Sequence, residues 1–184
     1  MAQRLIFVLM LNKLFVILLL SGLFSIQAKS QSLQEVYYQN VVTNVINKIT
    51  GKRATADVVL DFAKDLIGVP YRYASGSPSK GFDCSGFVTY VFRNFGFRVP
   101  RSSHEYAQAG KPVKLADAKP GDVILFTGTN SRVRRIGHVG IITSVNNGEV
   151  EFIHSSSGRE KGVTITSLNE GYYKRRLMKV VSLL

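Results

Sequence analysis

The spacing of apolar residues changes period once along this chain, and that change limits the fold more than any single residue does. Up to about Gly110 they recur at three- and four-residue steps, the mark of one face of a helix. Beyond it they form short β-rich runs bounded by turn residues. Helices come first and strands follow, an order that gives an α+β fold with helices packed on one side of an antiparallel sheet.

The clearest helix carries Val58, Val59, Phe62, Ala63, Leu66 and Ile67 on its apolar face, with Asp57 placed to cap it and Gly68 to end it. A second begins within "GFDCSGFVTYVF", where Phe87, Val88, Val91, Phe92 and Phe95 form an apolar face that stops at Gly96. "SSHEYAQAG" announces a third, short one, because Ser102 and Glu105 have capping-box spacing. Then "KPGDVILF" and "GHVGIITSV" read as strands, "NNG" as a hairpin turn, "EVEFIHS" as the returning strand, and "GVTIT" and "RRLMKVVSLL" as two more. No internal repeat or low-complexity tract interrupts them.

Ahead of this domain, Arg4 and Lys13 precede the apolar run Leu14 to Leu20, and small and polar residues end at Ala28. That is the layout of a secretory signal peptide over residues 1–28. A retained anchor is the competing reading, but Ser21 and Gly22 break the run short of the roughly 20 residues a spanning helix needs. Residues 29–54 read as a helix, with apolar positions from Leu33 to Ile49, and a short linker at "TGKRAT"; residues 55–184 read as the main domain. The expectation is an exported protein of the periplasm or of the extracellular space and cell wall, monomeric and without a stable membrane anchor once cleaved.

Cys84 is the only cysteine, so no internal disulfide can form and the exported chain must build an ordinary hydrophobic core. The net charge of +12 favours a polyanionic neighbour. The cations are scattered and meet no nucleic-acid motif, which argues against nucleic acid and leaves carboxylate-bearing peptidoglycan, anionic glycans or membrane surfaces.

A lone cysteine is either a small core residue or a thiol kept for reactivity. Cys84 falls at a helix N-terminus, where the helix dipole and unpaired N–H groups favour a thiolate. A thiol nucleophile needs a base, and only His104, His138 and His154 are available. The "NNG" hairpin should bring His138 and His154 to one end of a β-ladder, which suggests Cys84 as nucleophile, His138 as base and His154 as the group that orients it. His104 lies among polar residues on the capped segment and reads as surface. One cysteine and three dispersed histidines offer no metal site, and no cofactor is expected.

"GVPYRYASGSPSKGFDCSGFVTYVF", "VPRSSHEYAQAG", "KPGDVILF", "GHVGIIT", "EFIHSS" and "YYKRRLM" resemble, in order, the blocks of the NlpC/P60 cysteine peptidases, over about Asp57 to Leu184. The resemblance implies a papain-like fold and cleavage of peptidoglycan stem peptides, often between D-γ-glutamate and the following diamino acid. It also implies the same catalytic roles for Cys84, His138 and His154. Asp83 and Ser85 are similar to residues that hold the substrate amine and backbone, and Tyr71 to the tyrosine near the oxyanion. Each has a plainer reading: Asp83 as a helix cap, Ser85 as a first-turn residue, Tyr71 as packing against the sheet. The chain departs from the family pattern at Tyr73, where tryptophan is common, at Ala74, where glycine is usual, and at Tyr106, where glutamine is frequent. Those departures bear on substrate preference. A related thiol amidase or acyltransferase, and a silent peptidoglycan-binding protein, are the alternative functions.

Overall fold

The computed structural model describes residues 56–130, 132–169 and 171–184. The leader and the helix expected before residue 55 lie outside the described residues. Among the described residues no helix is long and apolar enough to cross a membrane.

Helix α1 (Ala56–Lys64) has Asp57 in its first turn, and Gly68, at φ +86°, closes the turns that follow. It buries Val59, Leu60, Phe62 and Ala63, with Leu66 just beyond. Val58 and Ile67, expected on the apolar face, are instead 41% and 50% exposed. Val58 sits at the margin of the buried stripe, and Ile67 lies past the last helical residue. The stripe is set by its partner, since Phe62 stacks on Tyr90 and meets Phe95 edge-on.

A two-stranded ribbon, β1 (Gly76–Ser77) with β2 (Gly81–Phe82), leads into helix α2 (Cys84–Asn94). The Asp83 carboxylate caps α2 by accepting from the Gly86 N–H at 2.6 Å. The apolar side, Phe87, Val88, Val91 and Phe92, is wholly buried, and α2 lies against β1, β5 (Ile136–Asn146) and β6 (Glu149–Ser155). Gly86 is required here, because any side chain would collide with the Ser75 carbonyl. The third expected helix is a 3-10 segment, Ser103–Gln108, in which the Ser102 N–H donates to Glu105 Oε2 at 3.3 Å.

The main sheet has six antiparallel strands in the order β3-β8-β4-β5-β6-β7. Strand β3 (Lys111–Val113) is an edge, where Pro112 costs no central ladder bond. The strands read from the sequence are β4 (Val123–Thr127), β5, β6, β7 (Val163–Ser167) and β8 (Leu177–Ser182). Asn147 and Gly148 join β5 to β6 with φ of +50° and +83°, the two positive angles of a type I′ hairpin. The final strand starts later than its sequence suggests, because Arg175 and Arg176 close helix α3 (Gly171–Arg176). Ile124, Phe126, Ile142, Val150, Phe152, Leu168 and Val180 form a core on the sheet, and Tyr173 of α3 closes over it. The α+β expectation holds, with α1 and α2 ahead of the antiparallel sheet; α3 departs from the helices-first order, lying between β7 and β8.

Candidate active site

Cys84 is the first residue of α2, and its Sγ lies 4.0 Å from the Gly137 carbonyl oxygen on β5. Helix and strand thus bring the thiol beside the backbone that carries His138. The hairpin places both histidines at the same end of the ladder, as its length predicts. His138 Nε2 and His154 Nδ1 are 2.9 Å apart, with the rings edge-to-face at 4.9 Å between centroids. Gly140 permits the close approach, because a side chain there would strike Phe152 and crowd His154 Cβ. His154 is fully buried, and its Nε2 meets Thr166 Oγ1 of β7 at 3.0 Å. Phe126, Phe152 and Tyr173 wall in the pair.

This surround sets the charge states. Burial holds the His138 imidazolium well below the ordinary 6.5, helped by His154 and Arg176. Burial, with Arg176, lowers His154 to about 3. Arg176 is itself buried, donating to the carbonyls of Gly128 (3.1 Å) and Thr127 (2.8 Å). The Cys84 thiol moves the other way. Burial and then Asp83 raise it above 9, against the N–H groups of Ser85, Val139 and Cys84 itself, which pull it down. The helix N-terminus does supply the N–H groups expected of it, but desolvation outweighs them, so thiol and imidazole both rest neutral.

A cleft of about 480 Å³ opens at the thiol, lined by Tyr71, Tyr73, Asp83, Cys84, Ser85, Arg101 and Gly137 among others. Asp83 and Ser85 are not idle in it. Arg101 donates to both Asp83 oxygens, at 3.0 and 2.6 Å, and to Ser85 Oγ at 3.1 Å, while Ser85 donates to Asp83 at 3.3 Å. The pair neutralises the one acid in the cleft lining, and Asp83 also serves as the cap that its plainer reading gives it. Tyr71 borders the same cleft, its hydroxyl proton held more tightly by burial and then by the charges of Cys84 and Asp83. His104 is exposed. Among the described residues no three of His, Cys, Asp and Glu gather as a metal site. Arg101 and Thr166 are the site residues that sequence reasoning left without a role.

The sequence profile of the NlpC/P60 family matches residues 68–182, more than half of the chain. The chain belongs to the NlpC/P60 family. It is 41% identical over 132 residues to the gamma-DL-glutamyl hydrolase of Bacillus subtilis, covering 71% of this chain and 30% of that one. Identity is 39% over 141 residues to Escherichia coli murein DD-endopeptidase MepS/murein LD-carboxypeptidase, covering 76% and 64%. This chain therefore spans less than two thirds of either relative. Among solved structures, an NlpC/P60 family protein of Bacillus cereus superposes with a TM-score of 0.63 at 28% identity, over 72% of this chain and 41% of that one.

Against the NlpC/P60 pattern, the three departures separate by position. Tyr106 is fully buried with its hydroxyl 3.0 Å from Thr89 Oγ1, and it is no part of the cleft lining. Tyr73, 84% exposed, and Ala74, at φ +57°, both line the cleft. Of the three, only Tyr73 and Ala74 face the space beside Cys84.

Proposed function

We propose that this chain is an exported peptidoglycan hydrolase, a cysteine peptidase that cuts stem peptides with Cys84 as nucleophile, His138 as base and His154 as the group that orients it. The observation that carries the reading is the thiol at the start of α2, held against the β5 backbone beside a histidine whose far nitrogen is bonded to a second, buried histidine. With Nε2 committed to His154, Nδ1 is the nitrogen left to the thiol. Because both groups rest neutral, His138 takes the thiol proton as sulfur attacks the scissile carbonyl. Backbone N–H groups at the α2 start, with Tyr71 nearby, stabilise the oxyanion. The imidazolium then protonates the departing amine, and water hydrolyses the thioester.

The bond proposed is the one after D-γ-glutamate, supported by the family resemblance and by the glutamyl hydrolase relative. The second relative is named instead for DD-endopeptidase and LD-carboxypeptidase activities on murein. Export rests on the leader at residues 1–28, with residues 55–184 as the catalytic domain; the working form is a monomer that needs no cofactor.

Mass spectrometry of products from defined muropeptides and intact sacculi tests this reading. New amino termini at the diamino acid, absent with Cys84→Ala, support it. Cleavage only at cross-links would move the bond, and intact substrate with reduced, folded enzyme would remove the peptidase reading.

A further inference from the structure

Five exposed cations crowd onto two abutting segments. Arg132, Arg134 and Arg135 lie on the β4–β5 loop, and Lys174 and Arg175 lie on α3. The segments are fastened together, because the Arg134 guanidinium donates to the carbonyls of Arg175 (3.3 Å) and Leu177 (3.1 Å). Arg176, from within, ties α3 to the end of β4. Among the described residues none of the five is in an ion pair; the pairs are Lys64 with Asp61, Arg101 with Asp83 and Arg159 with Glu160. Gathering like charges is unfavourable unless an anion answers them.

This surface adjoins the cleft. The Gly128 N–H donates to the Arg135 carbonyl at 3.3 Å, and Gly137, two residues on, lines the cleft beside Cys84. We propose that it docks the carboxylate-bearing peptidoglycan polymer next to the stem being cut, an inference that rests on the peptidoglycan reading. Guanidinium groups pair with carboxylates in a fixed fork, and a partner seated there can run on into the cleft. Val133 and Tyr172 are the only exposed large hydrophobic residues among 132–135 and 171–176, too few to insert into lipid.

The test compares the full chain carrying Cys84→Ala with the same chain carrying in addition Arg132→Gln, Arg135→Gln and Lys174→Gln, sedimented with purified sacculi over a range of salt. The added substitutions should weaken binding roughly tenfold at low salt and flatten its salt dependence. Equal binding by the two proteins would overturn the proposal, as would loss of binding to anionic phospholipid vesicles alone. Neither arm needs turnover, so a chain that docks sacculi through this surface yet cuts nothing would remove the peptidase reading and leave this one standing.

A neutral imidazole has one N–H, so the bonds from His138 through His154 to Thr166 fix one another. His138 can accept the Cys84 proton at Nδ1 only if its own proton is on Nε2 and donated to His154 Nδ1. His154 then carries its proton on Nε2 and donates it to Thr166 Oγ1. Were Thr166 to donate instead, both histidines would hold their protons on Nδ1 and no base would face the thiol. We infer that Thr166 is a positioning residue that sets this tautomer by accepting; it is only partly buried, so its own O–H can turn to solvent.

Thr166→Val should lower kcat about tenfold with KM unchanged, and Thr166→Ser should restore it. Nitrogen-15 NMR of the imidazoles reads the tautomer without substrate: His138 protonated on Nε2 in the parent, and altered in the valine variant. A parent His138 protonated on Nδ1, or a valine variant with both kcat and tautomer unchanged, would overturn the inference.

Discussion

Cys84 and His138 are both pushed toward their neutral forms, the thiol upward and the imidazolium downward, by the same loss of water. On the proposed mechanism the proton is then transferred during attack rather than before it. Iodoacetamide labelling of Cys84 should accordingly climb with pH through 9, with no plateau near neutrality; a neutral plateau would reveal a preformed thiolate. Arg101 carries a related expectation. Arg101→Met strands the Asp83 carboxylate beside the thiol and should cost about 1–2 kcal/mol in urea unfolding, discounted for the partial exposure of Arg101, while slowing the labelling. Cys84 and the two histidines of the candidate site are legible in the sequence, because each belongs to a residue type with few members and falls beside a recognisable turn or cap. Arg101 and Thr166 are not. Their roles arise from bonds to side chains on other elements, and neither an arginine after proline nor a threonine in a β run distinguishes itself by spacing.

The segment before α2 shows what a single conformational choice contributes to an element. Ala74 occupies left-handed φ space, where a β-carbon is unfavourable, and glycine is the residue the family pattern places there. Ala74→Gly should raise stability by about 1 kcal/mol, measured by chemical denaturation, and a destabilised variant would show that the methyl group packs usefully. Long elements were legible because their periods are: α2 from its apolar face, β5 and β6 from the Asn147–Gly148 turn. The ribbon β1–β2 and the edge β3 were not, since strands of two or three residues carry no period. The apolar stripe of α1 departs from its spacing at the edges, Val58 and Ile67, where contact with Tyr90 and Phe95 decides burial.

For the molecule as a whole, the desolvated histidines His138 and His154 link folding to pH. Above 6.5 His154 is neutral whether folded or unfolded and contributes no pH dependence. Below that value the unfolded chain takes up a proton that the folded chain refuses until about pH 3, so stability falls across this window. The loss is about 2 kcal/mol by pH 5 from His154 alone, and His138 acts in the same direction. Urea midpoints at pH 7.5 and 5 should show it, and His154→Asn should lose part of the slope. In the proposed mechanism a neutral thiol on a helix is activated by a histidine pair on a sheet. The most direct test is the rate of stem-peptide hydrolysis by the parent and by Cys84→Ala, each verified as folded. The expected loss is about a thousandfold or more; an alanine variant that turns over at a rate near the parent's would contradict the proposed mechanism.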